Sequence, residues 1–366
     1  MALEIPHPAV VTDEATTWIR TGRLALMRPA GENLADYVRL HTDPRTYAHK
    51  PAAMATVPEC REHFAAILER WQTEGADYAP AQDLATGEVV GWGGLRVVRD
   101  RGEPHLNLYY RLEFAALGRG LGRELARGLV NWAAEHRPDL PVRAAVAPAN
   151  GASLATALAA GLVEVGREVH PHFPEDEPDI ILRLPQVGVV DLDDADADEF
   201  VDLWRRVNDA GGAVGFLPGA PVARVRAAFE KHAELVRAGR SLLIGLREPN
   251  GKLSGFGYWE YTAEPGFAHV AWLKRLMIDP TSRGRNWGAL LLAGMVGIAR
   301  RRLPDVTLLL LDYRSGLALG EFYERAGWAE VGRIPGAIWL EGDEYRDDVF
   351  MARRLDGAPL IADGRT

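Results

Sequence analysis

The chain is 366 residues long, 47% apolar and 25% charged, the make-up of a globular protein too long for one ordinary core, so two or three domains are expected. Its formal net charge of −9 argues against nucleic acid as principal partner, because such binding depends on Lys and Arg neutralising phosphates. With Cys60 as the one cysteine, an intrachain disulfide and a cysteine-based zinc site are excluded, and no metal site is expected.

In chain order, the segment 1–16 reads as poorly ordered, and Arg23 to Arg28 alternates like a strand. Leu34, Tyr37 and Val38 then recur at helical spacing within 32–41, and Phe64, Ile67, Leu68 and Trp71 share one face of a helical stretch over 52–73. Cys60 falls in that stretch, as a small apolar residue would. Thr86-Gly87 marks a hairpin turn, with 88–95 returning as a strand. A strand over 106–114 feeds a Gly-rich turn and a helix over 120–136. Residues 142–146 read as a strand, 153–160 as an Ala-rich helix ended by Gly161 in a left-handed cap, and 180–184 as a closing strand. His170 and His172 flank Pro171 in what reads as a surface loop.

The same order then repeats. A short linker near Pro185 and Gln186 leads to a strand over 187–191 and helices over 194–207 and 222–237, the first with Asp194 as its expected N-cap. Strands over 241–246 and 253–258 flank the turn Pro249-Asn250-Gly251. A strand over 271–278 precedes a second Gly-rich turn and a helix over 287–302. A strand over 306–311, a helix over 317–326 and a strand over 348–352 complete the copy, and 357–366 reads as poorly ordered. Two domains are expected, 17–185 and 186–356. Each is α+β with a mixed, mostly antiparallel sheet flanked by helices, unlike regular βαβ alternation. No apolar run approaches the roughly 20 residues that span a bilayer and no leader pattern opens the chain, so a cytoplasmic protein with no membrane partner is expected, as monomer or homodimer.

The strongest signal is the repeat of the turn itself. Leu117-Gly118-Arg119-Gly120-Leu121-Gly122 recurs 166 positions later as Arg283-Gly284-Arg285-Asn286-Trp287-Gly288. Gly122 precedes Gly161 by 39 residues, as Gly288 precedes Gly327, and each later glycine is followed by an apolar residue. One fold is therefore written twice. A strand ending in closely spaced glycines and opening into a helix presents backbone N–H groups and a helix dipole to a phosphate. No Gly-Lys-Ser/Thr follows, which excludes a P-loop, and the turn comes too late in each copy for a Rossmann site.

Leu276-Met277-Ile278 followed by Arg283 to Gly288 resembles the acetyl-CoA loop of the GNAT N-acetyltransferases, and Tyr323 four residues before Gly327-Trp328 resembles that family's second signature. The first copy resembles it through Gly118 to Gly122 and through Asn150 and Ser153 leading to Gly161-Leu162. The resemblance is to tandem GNAT proteins, the N-terminal half nearer the ribosomal-protein N-acetyltransferases and the C-terminal half nearer small-molecule and antibiotic acetyltransferases. It implies acetyl-CoA as cofactor, held by Leu112, Gly118, Arg119, Gly120, Leu121, Gly122, Arg123, Asn150 and Ser153 in one half. In the other it implies Leu276, Ile278, Arg283, Gly284, Arg285, Asn286, Trp287, Gly288 and Tyr323.

The copies depart from the pattern in complementary ways. The first has Leu117 and Ala157 where Arg or Gln and Tyr are usual; the second has Asn286 in place of the central glycine, and Asn tolerates positive φ better than other residues. The resemblance implies acetyl transfer to an amine by direct attack in a ternary complex, with a small-molecule amine or a peptide N-terminus as acceptor. Tyr323 is the expected acid, although it also shares a helix face with Leu319 and Ala326 as a core tyrosine would. Glu260, Glu264 and His269 are base candidates, and Trp259 and Trp272 candidate pocket walls. His105, Glu113 and Ser153 are the first-half counterparts, Ser153 being implied to protonate a departing thiolate. The C-terminal half is expected to be catalytic. Two alternatives stand: catalysis by the N-terminal half through Ser153, or one half as a non-catalytic acyl-CoA-binding module.

Overall fold

The computed structural model describes residues 16–99, 102–358 and 360. These fall into two compact units, one running to Ala133 and resuming over Leu140–Arg183, the other comprising Ala134–Asp139 and the chain from Leu184 on. Among the described residues no helix is long and apolar enough to cross a membrane. The expectations for the terminal segments fall almost wholly outside the described residues.

In the first unit, strands β1 (Thr17–Arg20) and β2 (Leu24–Met27) lead to helices α1 (Leu34–His41) and α2 (Val57–Glu74). Helix α2 starts where Thr56 and Glu59 form a capping box and stops at Gly75, whose φ of 71° a side chain would oppose. Buried Cys60, Phe64, Ile67 and Trp71 line one face of it. Strands β3 (Tyr78–Asp83), β4 (Val89–Val98) and β5 (His105–Leu112) form a meander. Helix α3 (Leu121–His136), strand β6 (Val142–Val146), helix α4 (Gly151–Ala160) and strands β7 (Val163–Glu168) and β8 (Asp179–Arg183) follow. The eight strands form one sheet in the order β1-β2-β3-β4-β5-β6-β8-β7, with β5 and β6 its one parallel pair.

The second unit has strand β9 (Gln186–Val189), helices α5 (Ala197–Asp209) and α6 (Val222–Arg237), and strands β10 (Ser241–Arg247), β11 (Leu253–Tyr261) and β12 (Val270–Ile278). Helix α7 (Trp287–Arg302), strand β13 (Leu308–Arg314), helix α8 (Leu319–Arg325) and strands β14 (Ala329–Glu341) and β15 (Glu344–Arg354) complete it. The sheet order is β14-β15-β13-β12-β11-β10-β9, with β12 and β13 parallel. Strand alternation divides the residues of β11 between two layers. Phe256 and Tyr258 join Phe200 and Trp204 of α5 and Phe229 and Ala233 of α6 in one core. Trp259 faces the other way, fully buried, its Nε1 donating to Met295 O of α7 at 2.8 Å.

Three strands lie outside the elements expected from sequence. β1 has only four residues, β7 is almost entirely exposed, and β14 is broken by register shifts around Pro335. The N-cap of α5 is Asp196 rather than Asp194: its side chain accepts from Asp198 N at 2.9 Å, two residues later than expected.

Asp279 fixes the exit of β12. Its buried carboxylate accepts from Thr281 N at 3.0 Å, from Thr281 Oγ1 at 2.7 Å and from Arg206 of α5. Burial alone would raise its pKa, but Arg206 and Thr281 outweigh it and hold it at about 2. A carboxyl depressed in the folded state stabilises above its unfolded pKa and loses that contribution as pH falls through the folded value. Asp279→Asn is therefore expected to cost about 2 kcal/mol at pH 7. The gap from wild type should close between about pH 4 and pH 2, checked by urea unfolding across that range.

Candidate active site

Each sheet opens at its parallel pair. β12 and β13 are paired from Val270↔Leu308 to Leu273↔Leu311 and no further, although β12 runs on to Ile278 against β11. β5 and β6 are paired only at Leu106↔Val142 and Asn107↔Arg143, while β5 continues to Leu112 against β4. The far edge of each longer strand is thus left without a strand partner, and its peptide groups face a wedge-shaped slot. From Leu273 to Ile278 the slot runs roughly 17 Å at strand rise.

At the open mouth of each slot lies a Gly-rich loop, and the two loops share a backbone. Gly118 and Gly120 have φ of 75° and 76°; Gly284 and Asn286 have 84° and 68°. Left-handed residues alternating with ordinary ones turn successive N–H groups inward, an anion-binding nest at a helix N-terminus. A Cβ added at Gly118 or Gly284 would meet nothing within 4 Å, so the ground for glycine there is conformation, not space.

The loops are braced differently. Arg119 pairs with buried Asp83 at 2.8 Å, and Arg23 spans Glu124 at 2.7 Å and Arg119 O at 3.0 Å. Leu121 is buried, Gly122 faces Leu112 and Arg123 is exposed on the first turn of α3. In the second loop Arg283 donates to Ala210 O at 3.1 Å and Arg285 lies over the ring of buried Trp287. Gly288 faces Phe322 of α8. Ile278 packs toward Gly255, and half-buried Leu276 lies on the slot strand.

Only the second slot strand is bulged. The pairing of β11 with β12 shifts by one residue between Phe256↔Met277 and Tyr258↔Lys274, whereas β4 and β5 pair without a shift. Arg275, in the bulge, has φ 57°, a conformation costing a non-glycine residue about 1–2 kcal/mol. Beside the slot's vertex, on the α6 side, is a cavity of about 430 Å³. Glu260, His269, Trp272 and Leu310 are among its lining. Trp272 and Leu310 form the rung just before the last paired one. Glu260 Oε1 is 2.8 Å from His232 Nδ1 of α6, and that contact holds the Glu260 carboxyl below its ordinary range. His232 is itself stacked on Tyr258, with centroids 4.6 Å apart.

Tyr323, buried on α8, lies against Tyr313 on the part of β13 beyond its pairing with β12, centroids 5.8 Å apart. Burial raises its pKa, reinforced by Asp312 and Tyr313, so it keeps its proton at neutral pH.

In the first unit Ser153 and Asn150 meet at the start of α4. Asn150 Oδ1 accepts from Ser153 N at 3.1 Å, and Asn150 Nδ2 is 3.2 Å from His49 Nε2. Tyr110, reaching from β5, donates to Ser153 O at 2.8 Å and has Ser153 Oγ at 3.1 Å. Burial pushes the Tyr110 hydroxyl up to about 12, against the lowering effect of Ser153.

Sequence reasoning named Glu260, His269 and Trp272 without joining them; one cavity does. Trp259 is not a wall of it, because strand alternation sends its ring to the α7 layer. Exposed Glu264 is absent from the lining. His105 turns to Glu103 O, and Glu113 is bound by Arg39. His232, Arg275, Tyr110 and His49 were missed. Of these, His232 had a signal: it occupies the apolar stripe of α6 that includes Phe229, Ala233 and Val236.

Residues 23–163 match the family model described as acetyltransferase (GNAT) domain. Residues 23–163 thus carry a GNAT acetyltransferase domain, and the two mixed sheets fit a tandem arrangement. A comparison with curated proteins finds no match. Among solved structures, similarity extends to a GNAT acetyltransferase from Streptococcus pneumoniae, with 18% identity, 46% of this chain, 99% of that one and a TM-score of 0.39. The ribosomal-protein-S18-alanine N-acetyltransferase from Escherichia coli gives 19%, 50%, 99% and 0.36. The spermidine/spermine N-acetyltransferase from Vibrio cholerae gives 14%, 47%, 93% and 0.36.

Asn286 offers a direct test of the second loop's conformation. Asn286→Ala and Asn286→Gly remove the same side-chain bonds, but only Gly accepts φ 68° without strain. The Ala variant is expected to be about 1 kcal/mol less stable than the Gly variant, measured by urea unfolding of the pair.

Proposed function

We propose that the protein is an acetyl-CoA-dependent N-acetyltransferase in which the C-terminal unit carries out the transfer and the N-terminal unit binds the cofactor. The observation that carries this reading is the cavity at the vertex of the second slot, where Glu260 is held by His232 and the strand beside it is bulged. Gly118 to Arg123 and Arg283 to Gly288 would hold the phosphates, and the unpaired edges ending at Leu112 and at Leu276 to Ile278 would hold the arm. When bound, the cofactor supplies an acetyl group activated as a thioester.

Glu260, ionised at neutral pH, accepts the proton that the attacking amine gives up. Tyr323 Oη, protonated because it is buried, donates to the departing sulfur. The C–N bond forms as the C–S bond breaks, with no covalent enzyme intermediate, so positioning supplies most of the rate. The acceptor is a small-molecule amine or a peptide N-terminus. The contact between Tyr110 and Ser153 favours a second reading, in which the N-terminal unit works through Ser153.

Glu260→Gln and Tyr323→Phe are each expected to lower kcat for thiol release by about 10²-fold or more, while Ser153→Ala leaves it within about twofold. A screen of small amines and N-terminal peptides as acceptors reads the effect. Loss of activity in Ser153→Ala with the other two unaffected would transfer the chemistry to the N-terminal unit.

A further inference from the structure

Arg275 is an unusual cation for its surroundings. It sits at the bulge of β12 with its side chain accessible to solvent, yet it makes no hydrogen bond or ion pair with any described residue. The two carboxylates whose field reaches it, Asp312 and Glu260, are engaged elsewhere: Asp312 accepts from Lys274 Nζ, and Glu260 faces His232. The guanidinium is held from behind by the ring of Trp204, 5.8 Å from its centroid.

The loop between α5 and α6 is shaped around this group. Gly215, with φ 105°, leaves room that a side chain would take, since a Cβ built there would lie 2.5 Å from Arg275 Nη1. The loop is also pinned: Trp204 Nε1 donates to Val214 O at 2.9 Å, and Gly219 N donates to Asp209 Oδ1 at 2.9 Å. A preformed, uncompensated guanidinium is a fork for a carboxylate.

We propose that Arg275 is the carboxylate-binding subsite of the C-terminal unit, so that its acceptor is an amine bearing a carboxylate: the amine at Glu260 and the carboxylate at Arg275. This rests on the reading that the C-terminal unit is the acetylating one. A zwitterionic acceptor would bridge the strand from the Glu260–Trp272 rung to the bulge, past the Tyr258–Lys274 rung. The carboxylate can belong to a free amino acid or to an acidic residue at a peptide N-terminus. The first unit has Tyr109 in place of Arg275 at the 166-residue offset and has no bulge, so the subsite belongs to one unit alone.

The test uses the full-length protein and a panel of L-amino acids, their carboxamides, and short peptide amides beginning with Asp, Glu, Asn or Gln. Binding is followed by calorimetry without acetyl-CoA and, separately, by thiol release with it. Wild type should favour the carboxylate member of at least one pair by about tenfold or more. Arg275→Gln should erase that preference while leaving the neutral member unchanged, and Arg275→Lys should restore part of it. The pair that responds, amino acid or acidic peptide, identifies the source of the carboxylate.

Equal binding of both members, or binding of neither in every pair, overturns the proposal. So does loss of the preference in Arg240→Gln, at the arginine that lines the cavity, with Arg275→Gln unaffected. Weakened binding of acetyl-CoA itself in Arg275→Gln would also overturn it. Carboxylate-selective binding without turnover would leave the subsite standing and sink the reading of the C-terminal unit as an acetyltransferase.

Discussion

The structure depends on an interruption of hydrogen bonding: in each sheet two parallel strands pair for a few rungs and then separate while one continues. Backbone groups left without a strand partner must find another, and the edge of β12 beyond Leu273 offers its peptides to whatever enters the slot. Everything of functional interest is arranged around that slot. The nest at Gly284 and Asn286 stands at its mouth, Tyr323 along its side and the Glu260 cavity at its vertex.

The two slots are built on one plan but are not equivalent. The loops adopt the same alternating backbone, Asn286 at φ 68° standing where Gly120 has 76°. The strands that feed them differ more. β5 pairs regularly with β4 and sends Tyr110 across to Ser153, whereas β12 is bulged and turns Arg275 into the space beside α5. Strain in a non-glycine residue persists only where the surroundings enforce it. Here Trp204 and the pinned 211–219 loop do so.

Much of this was legible in the sequence where local signals agreed. The spans of β6, α6 and α7 were read without error, because each combines one clear period with clear breakers at its ends. The left-handed Asn286 followed from the glycine it replaces. Asp194 was mistaken for Asp196 because Asp191, Asp193, Asp194 and Asp196 are all competent caps and only packing selects one. β14 stayed hidden because Pro335 and Gly336 interrupt its alternation and its residues are mostly exposed. The pairing of His232 with Glu260 joins residues on different elements, and the bulge at Arg275 involves a residue with no intrinsic preference for it; neither leaves a local trace. Trp259 and Glu260 lie beyond the strand expected over 253–258, so their opposite faces, and which of them meets the cavity, show only in the packed layers.

The central claim, that the second slot holds the reacting thioester while the first only binds cofactor, is tested most directly by filling each loop in turn. Gly284→Trp and Gly120→Trp each place an indole in one nest, and acetyl-CoA binding by calorimetry is compared with thiol release for both. The account predicts that each variant loses one of two binding sites and that only Gly284→Trp loses turnover. Turnover abolished by Gly120→Trp and retained by Gly284→Trp would contradict it.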